Sequence, residues 1–596
     1  MMSPHDVLAH VFGFQAFRGL QEQAIRHVAG GGDALVLMPT GGGKSLCYQI
    51  PAICRPGPGI VVSPLIALMD DQVAALRQAG VTAGAWHSEC DPADTRATAR
   101  ALEEGRLDLL YVSPERLLME GTRERIARAA PSLIAIDEAH CVSQWGHEFR
   151  PEYRQLRELW PDFPGVPRIA LTATADRRTR DDILAALDMG GALVFAASFH
   201  RENLVIGAAG KDAEQAQLLA FLRRHAGEAG IVYCGTRART ERTAAMLAAK
   251  GIDAVAFHAG LDPEVKRRAA ARFRGGEAVV VVATIAFGMG IDRPDVRFVV
   301  HLDMPDSPEA YYQQIGRAGR DGAAAETLLL YGAEDIARAR SFHAASAAPE
   351  AQKAVMRARL EAMIGLTESP ACRTRALLAC FGETLAGDCG HCDNCRSSPV
   401  VEDATEEARK LLSAVHRTGG RFGAAHVTAV LRGESTEAVL RHGHDTLSVF
   451  GIGAERPASY WRALVRHLVV LGALDVASGE YPTLSLTSEA ARPVLRGEQT
   501  VAMRAAVAAQ RIKRQRARDG EAGGTREGAA EFATLRAWRL ATARAQGVPP
   551  YVIFHDSVLQ EIAASRPTTL AALAAIKGVG QSKLARYGEE LLAALG

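Results

Sequence analysis

Nowhere in the 596 residues do 18 apolar residues run together, so no membrane-spanning helix is expected. The first fourteen residues, "MMSPHDVLAHVFGF", lack a basic stretch followed by an apolar one, so no secretory leader is expected and a reducing cytosol is the default setting. Net charge is almost absent: 69 Lys and Arg against 68 Asp and Glu leave +1. Any contact with nucleic acid must therefore come from local basic patches rather than a global field. Aromatic residues make up only 6% of the chain, so a local concentration of rings stands out. Most of the ten cysteines are isolated: Cys47, Cys54, Cys90, Cys141, Cys234 and Cys380 stand singly among apolar residues and read as small buried hydrophobes. No solenoid-like repeat occurs. What is present, 48% hydrophobic and 23% charged residues, is ordinary globular composition. The length predicts three to five domains.

Short apolar runs alternate with helical patterns from about residue 33 to 300. "ALVLM" (34–38), "GIVVSP" (59–64), "LDLLYV" (107–112), "LIAID" (133–137) and "RIALTAT" (168–174) read as buried parallel strands. "AGIVYCG" (229–235), "DAVAFHAG" (253–260), "AVVVVAT" (278–284) and "RFVVHLD" (297–303) form a second series. Two such series predict two doubly wound α/β domains joined near 199–212. After about 340 the strands stop and helical patterns lead to a cysteine cluster. Residues 401–500 read as short helices followed by a hairpin within 472–487. The basic, Gly/Ala-rich stretch 508–530 reads as a linker, and 531–596 as a small helical unit.

"MPTGGGKS" (38–45) lies between a strand and a helical pattern, the context of a phosphate-binding loop. Gly41, Gly42 and Gly43 would let backbone N–H groups converge on phosphate oxygens beside Thr40; Lys44 would pair with the β- and γ-phosphates and Ser45 would ligate Mg²⁺. Taken alone, a Gly-rich strand-to-helix turn is the plain alternative. "LIAIDEAH" (133–140) decides for the loop: Asp137 can reach a Mg²⁺ shell while Glu138 serves as general base toward water. Further on, "YYQQIGRAGRDG" (311–322) offers Arg317 and Arg320 as cations for the charge developing on a γ-phosphate. A solvated basic helix face is the alternative there.

Cys372, Cys389, Cys392 and Cys395, spaced C-x16-C-x2-C-x2-C, suit a closed tetrahedral structural Zn²⁺ site. An iron–sulfur cluster is the alternative, and His391 is left out of the ligand set. Behind the acidic motif, "CVSQWGHEFRPEYR" (141–154) sets Trp145, Phe149 and Tyr153 among cations, broken by Gly146 and Pro151. It reads as a loop whose Trp145 can stack on a base, worth about 1–3 kcal/mol. Arg150 and Arg154 can hold phosphates or stack as planes. Tyr153 is expected in the core.

Taken in order, these motifs closely resemble superfamily 2 helicases and, within them, the RecQ family of DNA helicases, over nearly the whole chain. "FGFQAFRGLQEQAI" (12–25) resembles the family's adenine-reading motif, which implies Phe14 stacking on adenine with Arg18 and Gln21 hydrogen-bonding around it. "VVSPLIALMDDQ" (61–72), "YVSPERL" (111–117), "LTATA" (171–175), "IVYCGTR" (231–237), "FHAGL" (257–261) and "VATIAFGMGIDRPDVRFVVHLD" (282–303) resemble the remaining strand-contacting, coupling and sensor motifs, with Asp292 near ribose or phosphates. Arg320 would be the arginine finger and Arg317 its coupling partner. "SFHRENL" (198–204) departs from the family at His200 and Glu202, and Phe14 replaces a common Tyr. The DEAH tetrad also occurs in RNA helicases, whereas the aromatic-rich segment after it points to DNA. There the resemblance assigns DNA sensing to Ser143, Gln144, Trp145, His147, Phe149 and Arg150.

The resemblance implies two tandem RecA-like domains (1–205 and 206–340), a zinc module (341–400) and a winged-helix domain (401–505) in which Arg441, His442, His444 and Arg466 could meet duplex phosphates. A basic linker (506–530) and an HRDC-like all-α domain (531–596) follow. In that last domain Gly578-Val579-Gly580 could face phosphate beside Lys577 and Lys583, with a plain glycine helix stop as the alternative. It further implies a 3′→5′ helicase using ATP, Mg²⁺ and Zn²⁺ on single-stranded and duplex DNA, including forks and junctions. Single-strand DNA-binding protein is a candidate partner, there is no membrane partner, and the setting is cytoplasmic and nucleoid-associated, in repair, recombination and the SOS response. An ATP-driven translocase without unwinding, or an annealing protein with a regulatory ATPase, are the competing readings.

Overall fold

The computed structural model describes residues 2–143, 150–173, 177–288, 293–397, 399–477, 483–504 and 529–595. Gln144, Trp145, His147, Phe149, Asp292 and nearly all of the expected linker lie outside the described residues.

The first apolar series forms strands β1 (Ala34–Leu37), β2 (Gly59–Val62), β3 (Ala83–Trp86), β4 (Leu109–Val112), β5 (Leu133–Ile136), β6 (Arg168–Thr172) and β7 (Leu193–Ala196). They make one parallel sheet in the order β3-β4-β2-β5-β6-β1-β7. The second series supplies β8 (Leu204–Gly210), β9 (Ala229–Tyr233), β10 (Ala254–Phe257), β11 (Val280–Ala283), β12 (Val296–His301) and β13 (Ala325–Tyr331), parallel in the order β10-β11-β9-β12-β13-β8. Strands buried on both faces explain why the central runs carry no charged side chain and are mostly Val, Ile and Leu.

The strands that periodicity does not predict are β3, β7, β8 and β13. Three of them are sheet edges. There one side of the strand has no partner, and the sequences carry Ala and Gly ("AGAW", "LVIGAAG") or expose their side chains, as Leu193 and Val194 do. β8 begins inside the stretch expected to be a mere joint, so the second sheet starts at Leu204.

The helices Ala333–Ala345, Glu350–Glu368 and Arg373–Cys380 follow the second sheet. Arg373, buried, ties them to β8: its Nε donates to Asp393 at 2.5 Å and its Nη2 to the Ala208 carbonyl at 3.3 Å, while Asp393 accepts the Ala208 amide at 3.1 Å. Strands do not stop after 340. Val401–Asp403 pairs antiparallel with Ala502–Arg504, so the ends of this segment close on one another. Between them lie helices Thr405–Arg417, Ala424–Arg432 and Ala458–Val470 around buried Trp461, and the expected hairpin, Leu474–Val476 with Leu484–Leu486. The terminal unit packs helices Ala529–Gln546, Asp556–Ser565 and Gln581–Leu595 around Leu535, Ile562 and Leu591. No helix among the described residues is long and apolar enough to cross a membrane.

Candidate nucleotide cleft, metal centre and strand-contacting surface

A cavity of about 550 Å³ opens where the C-terminal ends of β1 and β5 face the second sheet's domain, the place where open α/β sheets bind ligands. Phe14, Arg18, Gln21, Thr40, Gly41, Gly43, Lys44, Ser45, Asp137, Glu138, Arg317 and Arg320 all line it. Residues separated by more than 300 positions, Phe14 and Arg320 among them, are thus brought to one space.

Local geometry explains the glycines. Gly41 has φ +80° and Gly43 φ +78°, the left-handed region that Cβ-bearing residues avoid. A Cβ on Gly41 would also stand 3.2 Å from the Arg320 Cα, so the loop and the arginine-bearing turn approach closely only because neither Gly41 nor Gly316 has a side chain. The Lys44 ammonium is buried and has no hydrogen-bond partner among the described residues, a costly state unless an anion completes it. Ser45 stands at the start of helix Leu46–Cys54.

Burial first, and then the adjacent Glu138 carboxylate, pushes Asp137 up to about 7. Two carboxylates crowded beside an unpartnered ammonium form a donor set suited to a hard divalent cation, so Ser45 and Asp137 fit Mg²⁺. Glu138 is held at φ +48°, a left-handed backbone conformation that costs about 1–3 kcal/mol. His140 Nδ1 stands 3.3 Å from Glu138 Oε2 and 3.0 Å from the Thr172 hydroxyl at the end of β6, linking the acidic motif to the segment "LTATA".

Two expected nucleotide contacts are otherwise engaged. Gln21 is buried; its amide Nε2 donates to the carbonyls of Gly42 (3.0 Å) and Gly43 (3.2 Å), and its Oε1 accepts the Arg18 amide (2.9 Å). It braces the phosphate loop here rather than presenting its amide to a base. Likewise the Thr40 hydroxyl donates to the Gly316 carbonyl at 3.0 Å, across the cleft. Arg317 is buried with Nη1 donating to the Gly288 carbonyl, while Arg320 faces the cavity.

Ser143 is a correction to the expected DNA contacts. It is fully buried and its hydroxyl donates to Asp182 at 2.7 Å, where Arg154 Nη2 also donates at 3.0 Å. The Arg150 amide donates to the Cys141 carbonyl at 2.8 Å, so the chain is tied on both sides of residues 144–149. Arg150 itself stays half-buried and accessible. Tyr153 is in the core as expected, its hydroxyl donating to the Asp137 carbonyl at 3.1 Å.

The four sulfurs of Cys372, Cys389, Cys392 and Cys395 all lie within 4.8 Å of one another. A tetrahedron of Zn–S bonds of about 2.3 Å needs sulfurs roughly 3.8 Å apart, so the set fits zinc. Backbone amides of Cys389 and Cys392 donate to Cys372 and Cys389 sulfurs at 3.3 Å, the arrangement that stabilises thiolates. Cys380 donates to the Ala376 carbonyl and stays outside the set.

In the winged-helix segment Arg441 is exposed and pairs with Glu437, while His444 Nδ1 meets His426 Nε2 at 2.7 Å. Arg466 differs from expectation: it is half-buried, paired with Glu368 (2.8 Å) and stacked over Tyr331, holding this segment to the zinc module instead of facing a duplex.

The C-terminal unit is also placed unexpectedly. Tyr551, Phe554, Lys577 and Lys583 line the same cavity. The Gly578 amide donates to the Gly13 carbonyl at 2.7 Å, and a Cβ on Gly580 would come 2.6 Å from the Val11 carbonyl, so this turn is committed to the first domain and not turned outward to phosphate. Lys583 is half-buried, donating to the Val552 and Ile553 carbonyls. No sequence pattern signals this seat, because each partner reads as an ordinary surface residue in isolation.

Family profiles match in tandem. A "DEAD/DEAH box helicase" profile covers residues 18–183, a "Helicase conserved C-terminal domain" 213–322, "RecQ zinc-binding" 333–396, an "RQC domain" 398–511 and an "HRDC domain" 529–595. The chain is 42% identical to the ATP-dependent DNA helicase RecQ of Haemophilus influenzae over 99% of its own length and 95% of that protein. It is 38% identical to the ATP-dependent DNA helicase RecQ of Bacillus subtilis, over 98% and 97% respectively.

Proposed function

The chain belongs to the RecQ family of ATP-dependent DNA helicases, and from that membership we propose that it moves 3′→5′ along single-stranded DNA and separates duplexes in recombination and repair. It is an ATP-dependent DNA helicase with a zinc-binding domain. The observation that carries the mechanistic reading is the meeting of Lys44, Asp137, Glu138 and Arg320 around one cavity between two parallel-sheet domains.

In this reading Lys44 takes the β- and γ-phosphates, Ser45 and Asp137 hold Mg²⁺, and Phe14 and Arg18 flank the base. Held by Ser45 and Asp137, Mg²⁺ would supply charge neutralisation at the phosphates. Glu138, at the rim of the same cavity, accepts the proton of the attacking water. Arg320, delivered from the second domain, stabilises the charge that develops as the γ-phosphate leaves. Because Arg320 belongs to one domain and Lys44 to the other, cleft closure and hydrolysis are coupled, and reopening advances the strand. Asp292 near the ribose, Gln144, Trp145, His147, Phe149 and Arg150 on the strand, and Arg441 and His444 on the duplex complete the proposal. Ser143, bonded to Asp182, anchors the chain just before the aromatic-rich segment. Forks and junctions as substrates, single-strand DNA-binding protein as partner and association with the nucleoid belong to the same reading.

Duplexes carrying a 3′ or a 5′ single-stranded tail test it. ATP-dependent strand separation of the 3′-tailed duplex alone is expected; separation of only the 5′-tailed one would overturn the polarity, and translocation without separation would leave a translocase. Glu138→Gln should retain nucleotide binding and lose turnover by about 10²–10⁴-fold.

A further inference from the structure

The segment joining the two sheets, Ser198–Asn203, does more than connect them. Phe199 is buried against the rings of Tyr312 and Phe381, its carbonyl accepts the Tyr312 hydroxyl at 2.7 Å, and its amide donates to Glu383 of the zinc module at 2.8 Å. Ser198 also bonds Glu383. Two residues on, Arg201 spreads its guanidinium between the two halves of the cleft. Nη1 donates to the Thr40 carbonyl at 2.9 Å, at the entry to the phosphate loop. Nη2 donates to the carbonyls of Ala318 (2.9 Å) and Gly319 (2.7 Å), immediately before Arg320. Nε donates to Asn203 Oδ1 at 3.1 Å, and the Asn203 amide in turn donates to Gly319 and Ala323, both at 2.8 Å.

We propose that Arg201 is a positioning residue for ATP hydrolysis: it latches the phosphate loop to the Ala318–Gly319 turn and so sets Arg320 opposite Lys44 when the cleft is closed. This rests on the reading of the cleft as the hydrolytic site. Three of its four acceptors are main-chain carbonyls, so the latch grips backbone position and does not depend on which side chains stand there. The planar fork is what allows one residue to serve both domains; a lysine offers a single point charge and cannot span the acceptors. Asn203 fixes the fork's orientation and holds the turn through Gly319, whose φ of +60° brings its carbonyl to the latch. Arg201 itself lies on the connector that must flex when the domains part. The latch therefore forms and breaks with closure, and does not contribute to nucleotide binding by the first domain alone.

The test is a double-mutant cycle read in DNA-stimulated ATP hydrolysis. Arg320→Ala by itself should abolish most turnover; if it does not, the reading of the cleft fails, whatever Arg201 does. Given that loss, Arg201→Ala should lower kcat at least tenfold with KM for ATP changed less than threefold. On the Arg320→Ala background the same substitution should cost less than twofold more, because there is no longer a finger to position. A full tenfold loss on both backgrounds, or a change confined to KM, overturns the proposal. Arg201→Lys keeps charge and volume and guards against misfolding: with an unchanged thermal midpoint it should still lose at least fivefold in kcat, and wild-type kcat in that variant also overturns the latch.

Discussion

The Gly578 amide donates to the Gly13 carbonyl at 2.7 Å, one residue before Phe14 and 565 residues away in sequence. The C-terminal domain is thereby seated behind the segment that flanks the nucleotide cavity. Tyr551 adds a second anchor, its hydroxyl donating at 2.8 Å to Asp71, which Arg274 of the second domain approaches at 3.9 Å. Gln78 adds a third, meeting Gln546, Arg586 and Tyr587 at 2.6–2.9 Å.

Removing residues 529–595 should therefore speed release of a fluorescent ATP analogue. The loss of one or two such hydrogen bonds, about 1 kcal/mol each, corresponds to roughly five- to thirtyfold. Stopped-flow dissociation from full-length and truncated protein reads this directly, and identical rates would refute the seat's influence on the cavity.

Arg373 offers a stability prediction. It is buried with Asp393, Leu366, Thr367 and Ala208 as acceptors. Arg373→Ala leaves the Asp393 carboxylate without its cation and should cost about 3–5 kcal/mol. Denaturant unfolding would show it, and Arg373→Met should be milder if packing rather than charge dominates.

Zinc removal addresses the same module. Cys392→Ser, or exhaustive chelation, should lower bound zinc from about one equivalent to none and destabilise the chain by about 3 kcal/mol or more. Elemental analysis with a thermal melt checks both. Iron in place of zinc would restore the iron–sulfur alternative.

Trp145 lies between two tied ends, Cys141–Arg150 and Ser143–Asp182. Trp145→Ala should leave ATP hydrolysis without DNA nearly intact and remove most of its stimulation by single-stranded DNA, as the loss of about 1–3 kcal/mol of stacking predicts. Stimulation that survives the substitution counts against strand sensing at this ring.

Much of the molecule was legible from residue order. Buried parallel strands leave unbroken apolar runs, so β1, β2, β4 and β5 were readable, as were the phosphate loop and the Asp137–Glu138 pair, because that chemistry needs fixed residue types at fixed local spacing. The four cysteines followed from thiolate geometry. Edge strands such as β3 and β8 were not, since half-exposed strands relax the apolar pattern. Ser143 and Arg466 were no more legible, for a related reason: a polar residue paired inside the molecule and one facing solvent look alike in sequence.

By itself, then, the sequence determined two doubly wound domains, a phosphate-loop ATPase, a four-cysteine metal centre and the family to which the chain belongs. These depend on local patterns whose physics acts over a few residues. Only the tertiary structure decided that Arg201 spans the cleft, that Gln21 and Thr40 serve the loop's backbone, and that Gly578 docks on Gly13. Each of those depends on main-chain groups approaching from distant segments, and a backbone carbonyl has the same identity whichever residue carries it.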